Sequence, residues 1–214
     1  MARDSVSYLW RSGCLETISA ETQLIERAKQ QDESAFDQIV NLYADKLYNY
    51  IVRMLGNPHD AEDVLQEVFL RAYQGLPSFD GRASLSTWLF RIAHNLCIDH
   101  YRKQERRVKT VSIYQDNPDE ADEGAEEWEF PDTQTPDPMQ AVLDRELQEV
   151  VERALESLSP KLKSVLLLYD VEGLSYEEIS QSLGIPMGTV KSRLHLARSE
   201  IQKKVAAYLR GETV

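Results

Sequence analysis

The chain has 214 residues, 42% of them hydrophobic and 28% charged, with a formal net charge of −12. This is the composition of an ordinary globular protein of one large or two small domains. No apolar run approaches the ~20 residues that a bilayer span needs. The first 22 residues, broken by Arg3, Asp4, Arg11 and Glu16, lack the apolar core of a signal peptide, so the expected location is cytoplasmic. Cys14 and Cys97 stand apart, with neither disulfide nor metal-ligand spacing. Reduced thiols, no metal and no cofactor are therefore expected.

In chain order, residues 1–20 are an extension whose Tyr8, Leu9 and Trp10 suit either disorder or partner docking. Residues 21–110 form a first helical block. Phe36, Ile39, Val40, Tyr43, Leu47, Tyr50, Ile51 and Met54 recur at helical spacing. Gly56-Asn57-Pro58 ends that helix, and Asp60 is the expected N-cap of the next, with Val64, Leu65, Val68, Phe69 and Ala72 on its apolar side. Gly75 and Pro77 stop it. After a loop, Ser84 caps a long helix through Leu85, Leu89, Ile92, Ala93 and Leu96.

Residues 111–140 read as an acidic flexible linker. Asp116 to Pro138 holds ten acids and no base, together with several prolines. Without those ten acids the rest of the chain carries only −2. Basic residues gather elsewhere: Arg91, Arg102, Lys103, Arg106, Arg107 and Lys109 in one stretch, and Lys191, Arg193, Arg198, Lys203 and Lys204 in another. Charge is segregated, so the whole-chain value misleads about nucleic acid.

Residues 141–209 form a second helical block. Val142 to Leu158 marks one helix. Pro160 opens another, at the position where its missing N–H costs nothing, and Gly173 ends it. Ser175 and Glu178 have capping-box spacing, Gly184-Ile185-Pro186 is a turn, and a last helix runs from about Met187 to Leu209. Nothing reads as a strand. The expected fold is all-α, two small helical domains joined by the linker.

The segment Leu174–Arg198 has helix-turn-helix spacing: a short capped helix, a glycine turn, and a helix whose buried stripe is Val190, Leu194, Ala197 and Ile201. Ser192, His195 and Ser199 point opposite Val190, flanked by Lys191 and Leu196. Short and basic side chains there suit a major groove, although a solvated helical hairpin shares the pattern. On the helix after Ser84, Arg91, Asn95, Arg102 and Arg106 share a cationic face beside the apolar one. Phe79 lies in the preceding loop and Trp88 at the boundary of the two faces. Aromatics interleaved with arginines suit unpaired bases, while Trp88 suits core packing as well. His94 and His100 lie about 240° apart on the helix, which argues against a metal site. No carboxylate cluster, nucleophile triad or phosphate loop marks an enzyme.

The run Asp60–Tyr73 resembles the polymerase-binding helix of sigma region 2, and Ser86–Asn95 the promoter-melting segment after it. Gly173–Ile179 and Gly188–Leu194 resemble sigma region 4. Their order and spacing are similar to those of the extracytoplasmic-function sigma factors, which carry regions 2 and 4 joined by a linker. The resemblance implies that Asp60, Asp63, Gln66, Glu67 and Arg71 bind core RNA polymerase. It implies that Phe79, Trp88, Arg91, Asn95, Arg102 and Arg106 hold the opened −10 strand, with one base flipped out. Thr189, Lys191, Ser192, Arg193, His195, Leu196 and Ser199 would read the −35 element as duplex. His195-Leu196 stands where some members have an aromatic-Arg pair. The implied partners are core RNA polymerase, promoter DNA and an anti-sigma factor, often a membrane protein, with no small-molecule substrate. A stand-alone helix-turn-helix regulator binding a palindromic duplex as a dimer is the alternative.

Overall fold

The computed structural model describes residues 20–111 and 138–210. Those residues contain helices and turns and no strand. The N-terminal Tyr8, Leu9 and Trp10, Cys14 and most of the acidic linker lie outside them.

Helix α1 spans 20–29, ahead of the first helix that the sequence pattern marks. Leu24, Ile25 and Ala28 turn one face of it to the core. Helix α2 (Glu33–Leu55) is capped by the Asp32 carboxylate, which accepts from the Ala35 N–H, and ends at Gly56 with φ at 75°. Helix α3 (Pro58–Gly75) is capped by Asn57, whose side chain accepts from the His59 and Asp60 N–H groups. This corrects the expected cap: Asp60 lies inside the first turn. Asn57 wins because Pro58 fits the first helical position and fixes the residue before it as extended. A 3₁₀ turn (Leu76–Ser78) follows α3, and then α4 (Leu85–Val111). Ser84 caps α4 as expected, accepting from the Thr87 N–H at 3.1 Å.

Helix α5 (Pro138–Glu156) starts inside the stretch assigned to the linker, with proline again at its head. Helix α6 (Pro160–Leu166) runs into a π-helical turn (Leu167–Val171) before Gly173. Helices α7 (Tyr176–Leu183) and α8 (Met187–Leu209) form the helix-turn-helix.

Helices α2, α3 and α4 pack on one another around Ile39, Leu47, Tyr50, Ile51, Met54, Val68, Leu89 and Phe90, all essentially inaccessible. The Tyr50 and Phe90 rings meet edge to face at 5.5 Å. In the second block, α8 packs on α5, α6 and α7 around Val165, Leu168, Ile179, Val190, Leu194 and Ala197. Burying each of the valine, leucine, isoleucine, methionine and phenylalanine side chains contributes about 1.5–3 kcal/mol. The two blocks also meet: α7 rests on α4 and α6 touches α2, so their buried residues form one continuous cluster.

Candidate nucleic-acid interface

The turn that aims α8 is built locally. The Ser175 hydroxyl accepts from the Glu178 N–H while the Glu178 carboxylate accepts from the Ser175 N–H, a complete capping box. Gly184 ends α7 at φ 64°, a left-handed conformation that costs a β-carbon about 1–2 kcal/mol. The Ser180 hydroxyl then donates to the Ile185 carbonyl at 2.6 Å, tying the turn to α7. Val190, Leu194 and Ala197 are buried. Lys191, Ser192, His195 and Leu196 are exposed, and Thr189, Arg193 and Ser199 half-buried. The Ser192 hydroxyl donates back to the Thr189 carbonyl at 3.1 Å. Between Thr189 and Ser199 what faces outward is therefore short, polar and cationic, apart from Leu196 at 52% exposure.

On α4, Arg91 and Asn95 are exposed beside half-buried Trp88. Phe79 lies in the loop before α4. It is only 8% exposed, its ring lies 5.2 Å from Trp88, and Lys29 sits over it at 5.8 Å. Phe79 thus backs Trp88 rather than standing free. The Trp88 ring in turn occupies the space of a missing side chain, since a β-carbon on Gly75 would lie 3.1 Å from it.

Beneath this face, His94 Nδ1 lies 3.2 Å from the Tyr50 hydroxyl. Burial, and secondarily the Arg193 charge, bring the imidazole down to about 4. Cys97 is buried, and burial pushes its thiol up to about 12, which leaves it unreactive.

Of the α3 residues, Asp63 and Gln66 fall opposite that helix's core stripe, and Asp60, Glu67 and Arg71 flank it. Asp63, Gln66 and Arg71 are exposed, Asp60 and Glu67 half-buried. Glu67 pairs with Arg71 at 2.7 Å, and Asp60 with His100 at 3.3 Å. A groove of about 760 Å³ between α3 and α4 brings Asp60, Asp63, Glu67 and Arg71 across from Arg102 and Arg106. Arg102 pairs with Asp99 at 3.3 Å. Arg102 and Arg106 therefore border the carboxylates of α3 as well as the cationic face of α4. Sequence reasoning missed Leu70. It is 52% exposed and lies within about 20° of Asp63 on the helical wheel, in the middle of this face. Its signal was an apolar residue on the polar side.

Among the described residues, no helix is long and apolar enough to cross a membrane. Nor does any group of three histidine, cysteine or acidic side chains there form a metal site.

The two helical blocks, the second a helix-turn-helix, each match a region of the sigma-type transcription proteins. Residues 39–107 match sigma-70 region 2, and residues 148–201 match sigma-70 region 4. The ECF RNA polymerase sigma factor SigW of Bacillus subtilis is 39% identical over 181 residues, which are 85% of this chain and 94% of that protein. The RNA polymerase sigma-H factor of Pseudomonas aeruginosa is 35% identical over 201 residues, 91% and 98% of the two chains. The chain belongs to the extracytoplasmic-function group of the sigma-70 family. The fold is shared with a Bartonella quintana sigma factor RpoE crystallised with the anti-sigma factor NepR, at 24% identity and a TM-score of 0.61, over 80% of this chain and 96% of that one. CnrH in complex with the cytosolic domain of CnrY has a TM-score of 0.60 at 23% identity, over 91% and 99%. The stand-alone regulator is not favoured, because the first block is a sigma region rather than a sensor or dimerisation domain.

Proposed function

We propose that this chain recruits core RNA polymerase to promoters by two-point recognition, with α8 on the duplex −35 element and α4 on the opened −10 strand. The observation that carries this reading is the chemical difference between the two exposed faces. Lys191, Ser192 and His195 on α8 offer short donors and cations, which suit a closed groove. Trp88, Arg91 and Asn95 on α4 offer a ring face, a cation and an amide, which suit an unstacked base. Phe79 supports Trp88 from below, and a base flipped beside Asn95 leaves its edge for the amide to read. Arg102 and Arg106 hold the backbone further along α4.

In this reading the outer face of α3, with Asp60, Asp63, Gln66, Glu67, Leu70 and Arg71, binds the polymerase. RNA synthesis is the polymerase's chemistry. An anti-sigma factor is the third partner, as NepR is for the Bartonella protein.

The two blocks that carry the DNA-facing helices are packed together in this structure, since α7 rests on α4 and α6 touches α2. The −35 and −10 elements are about 25 base steps apart by their numbering, or roughly 85 Å of B-form DNA. Region 4 must therefore leave region 2 before both elements are engaged.

Run-off transcription with core polymerase tests the whole reading: initiation that does not depend on this chain rejects it. Asn95→Ala tests the capture step. It is expected to weaken binding to a pre-opened −10 template about tenfold or more, as the loss of one base-specific contact would. Binding to closed −35 duplex is expected to stay within twofold. Equal losses on the two templates reject the flipped-base role.

A further inference from the structure

Four side chains of region 4 form a column beside α8. Tyr169, in the π turn, and Tyr176, the first residue of α7, stack nearly face to face with centroids 4.9 Å apart and planes 12° apart. The Lys191 ammonium lies over the Tyr176 ring at 5.5 Å, and the Arg198 guanidinium over the Tyr169 ring at 5.2 Å. Lys191 and Arg198 are two turns apart on α8, about 10.5 Å along its axis. The column therefore runs parallel to the recognition helix: cation, ring, ring, cation.

One end of the column is fixed. Arg198 Nε donates to Asp170 Oδ2 at 3.1 Å, and a terminal guanidinium nitrogen donates to the other carboxylate oxygen. The wider π turn carries both Tyr169 and Asp170, so it supplies a ring and an anchor for α8 from adjacent positions. The other end is Lys191, which is exposed on the face assigned to promoter duplex. A lysine there starts with a flexible four-carbon stem and must be immobilised to meet a phosphate. Resting the ammonium on a ring restricts that stem and leaves N–H donors directed away from the ring.

We propose that Tyr176, backed by Tyr169, is a positioning residue for promoter binding: it holds Lys191 where a −35 phosphate takes its ammonium. This rests on the reading that α8 enters the duplex. By contrast Arg198, held by Asp170, anchors the column.

The test is the salt dependence of −35 duplex binding by the full chain in complex with core polymerase. Lys191→Ala is expected to weaken binding several-fold and to lower the slope of log K against log salt by about 1, the signature of one lost phosphate contact. Tyr176→Leu is expected to lower the slope by about the same amount, and Tyr176→Phe to retain the wild-type slope, because the ring rather than the hydroxyl carries the contact. In the double variant, Tyr176→Leu should add nothing further to Lys191→Ala, and a pre-opened −10 template should bind all of these equally. Tyr169→Leu, which removes the backing ring, provides the same readout if Tyr176→Leu melts early. A full slope in both tyrosine-to-leucine variants, or additive losses in the double variant, overturns the positioning role. An unchanged slope in Lys191→Ala would show instead that no phosphate meets this lysine, which rejects the duplex reading at that residue and the positioning with it.

Discussion

His94 is a single residue whose ionisation reports on the packing around it. Desolvation is the main reason its imidazole titrates near 4, and Arg193 adds a like-charge contribution. The neutral ring still has a partner in the Tyr50 hydroxyl. Once the site unfolds, the imidazole returns to its ordinary value near 6.5 and takes up a proton. A depressed histidine thus stabilises the fold fully above pH 6.5, and that contribution is lost as pH falls toward 4. The expected loss is about 2 kcal/mol between pH 7.5 and pH 5. Glu172 works in the opposite sense, because burial raises its carboxyl against the pull of Arg53 and Lys46. The useful measurement is therefore a difference. Denaturant unfolding of the wild type and of His94→Gln, compared at the two pH values, should show the pH sensitivity reduced in the variant. Identical pH dependence in both would mean that His94 is accessible to water.

At the scale of the element, α3 has two faces with different tasks. Ala61, Val64, Val68 and Ala72 are buried in the bundle, whereas Asp63, Gln66 and Leu70 look outward. A half-exposed leucine amid acids gives little to the fold of the free chain, so its value lies in what covers it. Leu70→Asp is expected to leave the melting temperature within a few degrees and to weaken core polymerase binding by about tenfold, or ~1.4 kcal/mol. Fluorescence anisotropy with labelled chain measures this; unchanged affinity removes Leu70 from the interface. Much of the element level was legible in sequence because its causes are local. The Ser175–Glu178 box, the Ser84 cap and the Gly184 turn each satisfy backbone groups within a few residues. Core periodicity likewise placed Tyr50, Leu89 and Val190 inside. Asp60 was misread as a cap because Pro58 shifts the helix start toward Asn57. The burial of Phe79 was not legible because nothing in its neighbourhood along the chain foretells the packing of its ring against Trp88. The Tyr169–Tyr176 stack was hidden for a similar reason: a π turn changes which side chains share a face, and the helical period then misleads.

At the scale of the whole molecule, the contact between the blocks is what no local pattern foretells. Helix α7, which rests on α4, carries Ser182, buried with its hydroxyl unpartnered. An unmatched buried hydroxyl costs about 1–3 kcal/mol. Glu172 is half-buried near Tyr50, Lys46 and Arg53 of α2, and desolvation outweighs the attraction of the two cations. A contact that keeps such groups from water is held by apolar burial against polar cost, which suits an association that must come apart. Donor and acceptor dyes at the exposed positions Gln74 and Gln181 would report the separation. The buried Cys97, with its thiol pushed up to about 12, would not compete for label once Cys14 is replaced by serine. Transfer between the dyes is expected to be strong in the free chain and to collapse when core polymerase and a promoter bearing both elements are added. Polymerase-bound complexes on a template with only the −10 element should show how much of the separation polymerase alone drives. Strong transfer persisting in the full promoter complex would show that the blocks stay together, which the ~85 Å between the elements forbids for two-point recognition.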